Sequence, residues 1–331
     1  MSLRLARLLL IAATLTLLPF SSPAPLVYTP GEGWTYESVG SQGGKWRRTR
    51  AKDQLEVAQQ AFDAGKYGLA RKAARHVVKA WPLSDYAPQA QYLLGRCYEA
   101  RHMDQRAFKE YQIMLEKYPK SEMLGDALQR QYEIAGRFLN GQWFRAWGYI
   151  PYPTAFDRDQ VATMYEKIVK DAPYSDVAPQ AQLKVGEARE KQKEYPDAVA
   201  AYEKAADRYS DRPQVAAEAV YRAGMAYEKQ AKTAEYDQGA AGQAIASLTD
   251  FMTLFPDDKR VPEAEQTIAT LRGEQARGNF EIARFYEKRK KWNGALIYYN
   301  EVLLRDPNSP LAPQAREKID TIKKRLQAAA N

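Results

Sequence analysis

The residues that could do chemistry are a repeated Ser-Asp pair, two histidines and one cysteine. The pair occurs in SDYAPQAQ from Ser84 and again in SDVAPQAQ from Ser175, 91 positions later. A segment repeated this closely is either a reused catalytic loop or a reused piece of architecture. A serine nucleophile would require a nearby base, and a metal site would require clustered His, Cys or carboxylate ligands.

The sequence around these residues does not complete a catalytic or metal site. His76 and His102 are the only histidines, and neither has a ligand partner four residues further on. There is no HExxH, no GxSxG and no glycine-rich phosphate loop. We therefore predict that the protein is not an enzyme and takes no metal, cofactor or small-molecule substrate. Cys97, in an amphipathic stretch, is predicted to be a buried small hydrophobic residue.

A third copy of the motif, SPLAPQAREK at 309–318, indicates that the repetition is architectural. Each copy follows a proline that closes an apolar helical stretch. Three units keep the same two intervals of twelve residues: Gly95, Ala107 and Pro119; Gly186, Ala198 and Ser210; Ala283, Ala295 and Pro307. Six units share the second interval, so the chain is a repeat protein.

Each unit is predicted to form two antiparallel helices, because apolar residues recur at helical spacing in both halves. A small residue such as Gly95 or Gly186 allows the two helices to approach closely, and the proline ends the second helix. In the repeated motif, Ser or Asp is predicted to cap the incoming helix, with Pro88 or Pro179 in its first turn.

This pattern predicts an all-α tetratricopeptide-repeat solenoid of about six helix pairs. Residues 261–290 are predicted to form one long or broken helix. Residues 313–330 are predicted to form a C-terminal capping helix with a polar outer face.

The N-terminal residues have the layout of a secretory signal, with a basic start, a short apolar run and then small residues and prolines. We predict a signal peptide at 1–24, with an uncleaved anchor as the alternative. From residue 53 onward 42 basic residues stand against 39 acidic ones, so the body is nearly neutral and no nucleic acid partner is predicted.

A leader at 25–52 precedes the first repeat. It contains Trp34, Trp46 and a basic cluster of Lys45, Arg47, Arg48, Arg50 and Lys52. One interpretation is a flexible tether. The other is a surface on which the cluster and the tryptophans contact anionic lipid or a partner, which would give a peripheral contact with the outer membrane.

An insertion at 140–156 falls between the two helices of the third unit. It carries six aromatic residues: Trp143, Phe144, Trp147, Tyr149, Tyr152 and Phe156. The insertion is interpreted either as a loop folded back on its own solenoid or as a loop that faces a partner or a membrane, with Trp143, Phe144 and Trp147 as the contact candidates.

Solenoids of two-helix repeats bind protein segments on the inner face, which the first helix of each unit lines. Residues spaced three or four apart on that stripe are therefore partner-binding candidates. They are Tyr92, Arg96 and Glu99 in the second unit, and Arg277, Phe280, Arg284 and Glu287 in the sixth. The alternative is that these are ordinary helix residues.

The C-terminal sequence FEIARFYEKRKKWNGALIYYNEVLLRDPNSPLAPQA at 280–315 resembles the C-terminal repeats of the BamD family, periplasmic tetratricopeptide components of the outer-membrane β-barrel assembly machinery. Residues 53–95 resemble that family's N-terminal repeats, and the aromatic insertion followed by FDRDQVATMYEKIV resembles its third repeat. Two departures stand out: the family's lipid-anchoring cysteine is absent at the signal cleavage site, and about two extra units lie at roughly 173–255.

The resemblance implies a non-catalytic periplasmic scaffold associated with the outer membrane through its partners. It implies that C-terminal repeats at 256–331 bind the periplasmic repeats of the barrel insertase, with Arg277 and Arg284 as contact candidates. N-terminal repeats at 53–172 would bind unfolded outer-membrane protein segments, with Tyr92, Arg96 and Glu99 in the groove. The alternative is a periplasmic repeat scaffold that coordinates envelope constriction or peptidoglycan synthesis.

Overall fold

The computed structural model describes residues 26–29, 33–36, 46–146, 150–153, 158–233 and 238–330. The predicted signal peptide and Lys45 of the basic cluster lie outside these residues. Within them the chain is built from helices and four short strands. In chain order these are β1 (Leu26–Thr29), β2 (Gly33–Tyr36), α1 (Ala51–Asp63), α2 (Tyr67–Ala80), α3 (Ala87–Glu99), α4 (Asp104–Lys117), α5 (Leu124–Leu139), β3 (Phe144–Ala146), β4 (Ile150–Tyr152), α6 (Arg158–Asp171), α7 (Ala178–Lys191), α8 (Tyr195–Arg208), α9 (Pro213–Thr233), α10 (Gln238–Leu254), α11 (Val261–Lys288), α12 (Trp292–Arg305) and α13 (Ala312–Ala330).

The helices follow one another as six pairs and a final helix, which confirms the predicted all-α repeat fold. The predicted long helix is continuous over 28 residues as α11. The repeat begins at Ala51, two residues before the predicted boundary.

The helices group into two compact units. The N-terminal unit runs to Ile134 and includes Arg145–Pro151, and the C-terminal unit comprises Ala135–Phe144 and the residues from Tyr152 onward. The core of the N-terminal unit is rich in fully buried alanines such as Ala58, Ala70 and Ala74, because α1, α2 and α3 pack closely. Cys97 lies in this core as predicted, and burial raises the pKa of its thiol to about 12.

Gly95 and Gly186 mark the points of closest approach within two helix pairs. A Cβ atom at Gly95 would lie 2.3 Å from Cε1 of Tyr111, and one at Gly186 would lie 2.3 Å from Cε1 of Tyr202. Both tyrosines are fully buried. The predicted need for a small residue is therefore explained by a tyrosine ring on the second helix of the same pair.

The turn between paired helices uses one residue with positive φ. It is Gly65 in the first pair, His102 in the second, Lys193 in the fourth and Lys290 in the sixth, with φ of 71°, 54°, 65° and 58°. A side chain in this left-handed region strains the backbone, and only glycine adopts it without cost. The repeat thus fixes a turn geometry that three of these four residues adopt under strain.

We expect Lys193→Gly and Lys290→Gly each to raise the free energy of unfolding by about 1 kcal/mol, because glycine removes the left-handed strain. Lys167→Gly, inside α6, is the matched control and should lower the free energy by about 1 kcal/mol. Chemical denaturation of the three variants measures the difference. A loss of stability at all three positions would show that the turns are not strained.

The predicted helix cap is wrong. α3 and α7 begin after Tyr86 and Val177, and neither helix start receives a side-chain cap hydrogen bond. The serine instead belongs to the preceding turn, where the Ser175 hydroxyl donates to the carbonyl of Ala172 at 2.8 Å. The prolines do lie in the first turn of each helix as predicted.

The second glutamine of each APQAQ motif is a buried link between paired helices. The side-chain amide of Gln91 donates to the carbonyl of Glu110 at 2.9 Å, and that of Gln182 donates to the carbonyl of Ala201 at 3.0 Å. A buried amide without a partner would be costly, so these bonds fix the register of one helix on the other. The APQAQ sequence is therefore repeated because both pairs use the same glutamine hydrogen bond between their helices.

The end of the leader is attached to the first helix pair. The amide of Gln54 donates to the carbonyl of Trp46 at 3.2 Å, and the Trp46 ring lies edge-on to His76 at 6.2 Å. Trp46 is therefore part of the repeat structure and not of a free tether. Arg47, Arg48 and Arg50 are exposed on the surface, and their contact with anionic lipid stays a prediction.

Candidate protein-binding surfaces

The N-terminal candidates Tyr92, Arg96 and Glu99 lie half-buried on α3. The Tyr92 hydroxyl accepts a hydrogen bond from Nε of Arg130 at 2.9 Å, and the Arg96 guanidinium lies over the Phe62 ring at 5.5 Å. These contacts hold the candidates against α1 and α5. A partner that uses this stripe would meet side chains whose positions are already fixed, and their role in binding stays a prediction.

Glu99 belongs to a hydrogen-bonded group that recurs in three units, in which a glutamate carboxylate accepts from a tyrosine hydroxyl and from a cation. We call this group the strut. The Glu99 carboxylate accepts hydrogen bonds from the Tyr111 hydroxyl at 3.0 Å and from Arg130 at 3.1 Å. The corresponding groups are Tyr202, Glu190 and Lys229 in the fourth unit, and Tyr299, Glu287 and Lys318 in the sixth. In each case the tyrosine comes from the same pair and the cation from the next helix. The strut therefore ties each pair to its successor.

The C-terminal candidates on α11 separate into two kinds. Arg277 and Arg284 are exposed, and Arg284 donates to the carboxylate of Glu281 at 3.0 Å. Phe280 is only 6% exposed and packs edge-on against Tyr299 with the ring centroids 5.3 Å apart. Glu287 is the strut carboxylate. The arginines are therefore the accessible part of this candidate surface, and Phe280 is a core side chain.

The insertion folds back on the preceding helix at its start. Phe144 is fully buried and stacks on Phe138 of α5 with the centroids 4.3 Å apart, and β3 pairs with β4 in a two-stranded sheet. Trp143 is 55% exposed, so of the two candidates that the structure describes it is the accessible aromatic side chain. Trp147 lies outside the described residues. Phe144 thus follows the folded-back interpretation, and Trp143 stays a partner-contact candidate.

A cleft of ≈ 770 Å³ in the C-terminal unit was not predicted from the sequence. We call it the central cleft. It is lined by Glu190, Gln214, Glu218, Tyr221, Arg222, Met225, Lys229, Asp258, Lys259 and Arg260. Its residues on α9 recur every three or four positions, so one stripe of α9 forms its main wall.

Charged side chains alternate in sign along and beyond the central cleft. Lys184 bonds Glu187 at 2.7 Å, and Glu187 lies 3.7 Å from Arg222. Arg222 and Arg260 both pair with Glu218, and Arg260 pairs with Asp258 at 2.7 Å. We call this series of ion pairs the ladder. It joins α7, α9 and the turn before α11, which belong to three successive repeats, and it places fixed charges on the cleft wall.

The ladder keeps its carboxylates ionised. The hydrogen bond from the Arg260 guanidinium lowers the pKa of Asp258 to about 2. Burial acts to raise the pKa of Glu187 and Glu218, but the hydrogen bonds and charges of the neighbouring lysines and arginines together outweigh it, so both pKa values are lowered. The Arg260 guanidinium also lies over the Tyr221 ring at 4.8 Å. The cleft therefore offers paired charges beside an aromatic ring and the Met225 thioether.

Sequence reasoning missed the central cleft because its key contacts are long-range. Glu218 and Arg222 are four residues apart on one helix face and could have been flagged as a pair. Arg260 reaches Glu218 from 42 positions further along the chain, and no local pattern indicates that contact.

The described residues hold no group of three or more His, Cys, Asp or Glu side chains arranged to bind a metal ion. No helix among them combines the length and apolar character needed to cross a membrane. The central cleft contains Tyr221, Met225 and two arginines, residue types that are enriched at interfaces between proteins.

Comparison with known proteins matches residues 157–329, just over half of the chain, to the family described as Outer membrane lipoprotein, YfiO. Residues 55–122 match a tetratricopeptide repeat family. The range of the YfiO match includes residues 173–255, which were predicted to be additional to the BamD repeats. The N-terminal repeats match the general repeat family instead.

The outer membrane protein assembly factor BamD of Caulobacter vibrioides is 24% identical over 170 residues, which are 50% of this chain and 55% of that protein. The match thus spans about half of the curated relative. Among solved structures, the C-terminal part of a TPR repeat-containing protein from Cytophaga hutchinsonii is 15% identical, with a TM-score of 0.37 over 80% of this chain and 87% of that one. A tetratricopeptide repeat protein from Parabacteroides merdae is 11% identical, with a TM-score of 0.34 over 82% and 98%.

The TM-scores are low, so the fold assignment rests on the helix pairs and on the repeat family match. The YfiO match covers every helix from α6 to α12 and all of α13 except its last residue. It includes the central cleft and the exposed arginines of α11. The chain is a BamD-like tetratricopeptide-repeat protein and belongs to the YfiO family.

Proposed function

We propose that the chain is a non-catalytic scaffold of the machinery that assembles β-barrel proteins in the outer membrane. The observation that carries this proposal is the family match across residues 157–329, in a chain whose described part consists of repeat helices. The similarity to the Caulobacter assembly factor supports the same function. The proposed location is the periplasm, with attachment to the outer membrane through partners.

The proposed division of labour follows the repeats. The C-terminal repeats bind the periplasmic repeats of the barrel insertase, and the exposed Arg277 and Arg284 on α11 supply charge for that contact. The N-terminal repeats bind segments of unfolded outer-membrane proteins along the stripe of Tyr92, Arg96 and Glu99. The central cleft adds a further surface for a protein segment.

Affinity isolation of a tagged, natively expressed copy from gently solubilised envelopes tests the proposal, with mass spectrometry to identify the proteins that co-purify. Recovery of the barrel insertase and its companions supports the assembly function. Recovery of peptidoglycan synthases or division proteins without the insertase would contradict it and would favour a scaffold of envelope constriction.

Reversing the charges of the two candidate arginines, Arg277→Glu with Arg284→Glu, is expected to weaken binding of the insertase repeats by at least about tenfold, because like charges at an interface are costly. Interferometry on the purified proteins measures the affinity. Arg272→Glu with Lys324→Glu is the control, since it makes the same change in net charge at other exposed positions. Unchanged affinity in the variant that carries Arg277→Glu and Arg284→Glu would show that these arginines do not lie in the interface.

A further inference from the structure

A cavity of ≈ 480 Å³ in the C-terminal unit lies apart from the central cleft. We call it the α6–α8 groove. Its lining includes Glu166 and Lys170 of α6, Gln182 and Arg189 of α7, and Ala201 and Lys204 of α8. Its apolar part is formed by small or branched side chains. Its rim carries charges, so it combines an apolar surface with ionic contacts.

The groove is open because one position of the repeat lacks a large side chain. Fifteen residues after the landmark glycine or alanine, the second unit has Glu110, the fourth has Ala201 and the sixth has Tyr298. Glu110 lies 3.7 Å from Arg75, and Tyr298 stacks on Tyr286 with the centroids 5.5 Å apart. In the fourth unit the side chain stops at Cβ, so the space that two other units fill is empty.

The second unit shows which chemical group suits this space. There the buried amide of Gln91 donates twice to Glu110, to the main-chain carbonyl and to the carboxylate at 2.8 Å. The equivalent Gln182 is 4% exposed and donates to the carbonyl of Ala201. Within the described residues its second amide hydrogen has no partner. The groove therefore presents a buried donor where the second unit holds a carboxylate.

Four cations line the groove, Lys170, Arg189, Lys204 and Arg208, against the two carboxylates of Glu166 and Asp197, so the net charge of its lining favours an anionic group. Glu166 stands where the second unit has Arg75 and is paired with Arg189 at 3.4 Å. Lys170 and Lys204 are exposed on its rim and form no ion pair within the described part of the chain. Lys204 stands where the second unit has Ile113, so the fourth unit has gained a cation. Arg189 is already held by Glu194 at 2.8 Å, by Asp159 at 3.0 Å and by Glu166 at 3.4 Å. The two lysines and the exposed Arg208 are thus the cations of the groove available to a ligand.

We propose that the α6–α8 groove binds an Asp or Glu side chain on a segment of a protein partner. The carboxylate takes the place that the Glu110 carboxylate occupies in the second unit, accepts from the Gln182 amide and is flanked by Lys170 and Lys204. The cavity has room beyond one carboxylate for neighbouring residues of the segment. This site is independent of the insertase contact proposed above.

The test measures fluorescence anisotropy of a rhodamine-labelled peptide of glutamates separated by alanines, and of the same peptide with glutamines. The full-length protein should bind the glutamate peptide at least about tenfold more tightly, because hydrogen bonds to a charged acceptor are stronger than neutral ones. Equal binding of the two peptides would overturn the proposal. Competition with free glutarate gives a second outcome that would overturn it. If glutarate displaces the labelled peptide as well as unlabelled peptide does at the same carboxylate concentration, the site does not recognise a protein segment.

Two variants locate the site. Ala201→Glu supplies the missing carboxylate internally and should abolish binding. Lys204→Gln should weaken binding, whereas Lys167→Gln, an exposed lysine on α6 outside the groove, should leave it unchanged. Equal weakening by the two glutamine variants would show nonspecific attraction and would contradict the proposal. Lys204 is a surface residue, so its variant keeps the test decisive if Ala201→Glu does not fold.

Discussion

Gly186→Ala is expected to lower the free energy of unfolding by about 1–3 kcal/mol, the cost of overpacking a filled core. The new Cβ atom would lie 2.3 Å from Cε1 of Tyr202. The ring cannot swing aside freely, because it is fully buried and its hydroxyl donates to Glu190 at 2.9 Å. Thermal unfolding followed by circular dichroism measures the change, and Gly95→Ala against Tyr111 should behave in the same way.

The sixth unit provides the control for this prediction. It has Ala283 at the landmark position and Tyr299 at the tyrosine position, so its pair is already arranged for a methyl group. Ala283→Gly should therefore cost only about 1 kcal/mol, the difference in helix propensity together with a small loss of packing. A stabilising effect of this substitution would show that the sixth pair is also too tightly packed.

A coupled substitution tests the cause directly. Tyr202→Leu removes the ring that meets the new methyl group, so Gly186→Ala should be less harmful in the Tyr202→Leu background than alone. Strict additivity of the two changes would contradict the clash and would assign the effect of Gly186→Ala to another cause.

Much of the fold was predictable because the repeat constrains it at fixed intervals. The twelve-residue register around Gly95 and Gly186 predicted the helix pairs, the close approach within them and the proline stops. The same register contained the strut, since Glu99 and Tyr111 are separated by the interval that separates Glu190 from Tyr202. The strut was nevertheless missed, because a glutamate and a tyrosine twelve residues apart suggest no contact until the pair geometry is known.

The prediction of the helix caps was wrong for a local reason. Ser and Asp favour helix starts and tight turns equally, because in both they bond to nearby backbone groups. The sequence therefore located a break before α3 and α7 but not the role of Ser84 or Ser175 in it.

The candidate binding residues show a different limit. Helical spacing places Arg277, Phe280 and Arg284 on one stripe, but it does not show how far the neighbouring helix covers that stripe. In the structure Phe280 packs against Tyr299 of α12, and the arginines remain outside. The central cleft could not be predicted from the sequence for the same reason, since contacts such as that of Glu218 with Arg260 join separate repeats.

The second large effect is expected at the last strut. Glu287→Gln should lower the free energy of unfolding by about 1–2 kcal/mol at neutral pH, because it weakens charge-assisted hydrogen bonds to two groups. The carboxylate accepts from the Tyr299 hydroxyl at 2.6 Å and from Nζ of Lys318 at 2.9 Å. Lys318 lies on α13, so the change loosens the final helix as well as the pair before it.

A nearby carboxylate serves as the control. Glu281 lies on the same helix, but its side chain is 63% exposed, and among the described residues Arg284 is its ion-pair partner. Glu281→Gln should change the free energy of unfolding by less than about 0.5 kcal/mol, the usual value for an exposed ion pair. Equal effects at the two positions would show that the strut adds nothing to an ordinary surface charge.

The pH dependence separates the strut from a simple loss of packing. Burial acts to raise the pKa of Glu287, but the hydrogen bonds from Tyr299 and Lys318 and the charge of Lys318 outweigh it, so the pKa is lowered. A carboxylate with a lowered pKa stabilises the folded state fully above its unfolded pKa of about 4.3, and this contribution is lost as the pH falls through the folded value. The stability difference between the wild type and Glu287→Gln should therefore shrink as a series of unfolding curves is taken from neutral to acid pH. A difference that stays constant over that series would mean that the ionised carboxylate is not its source.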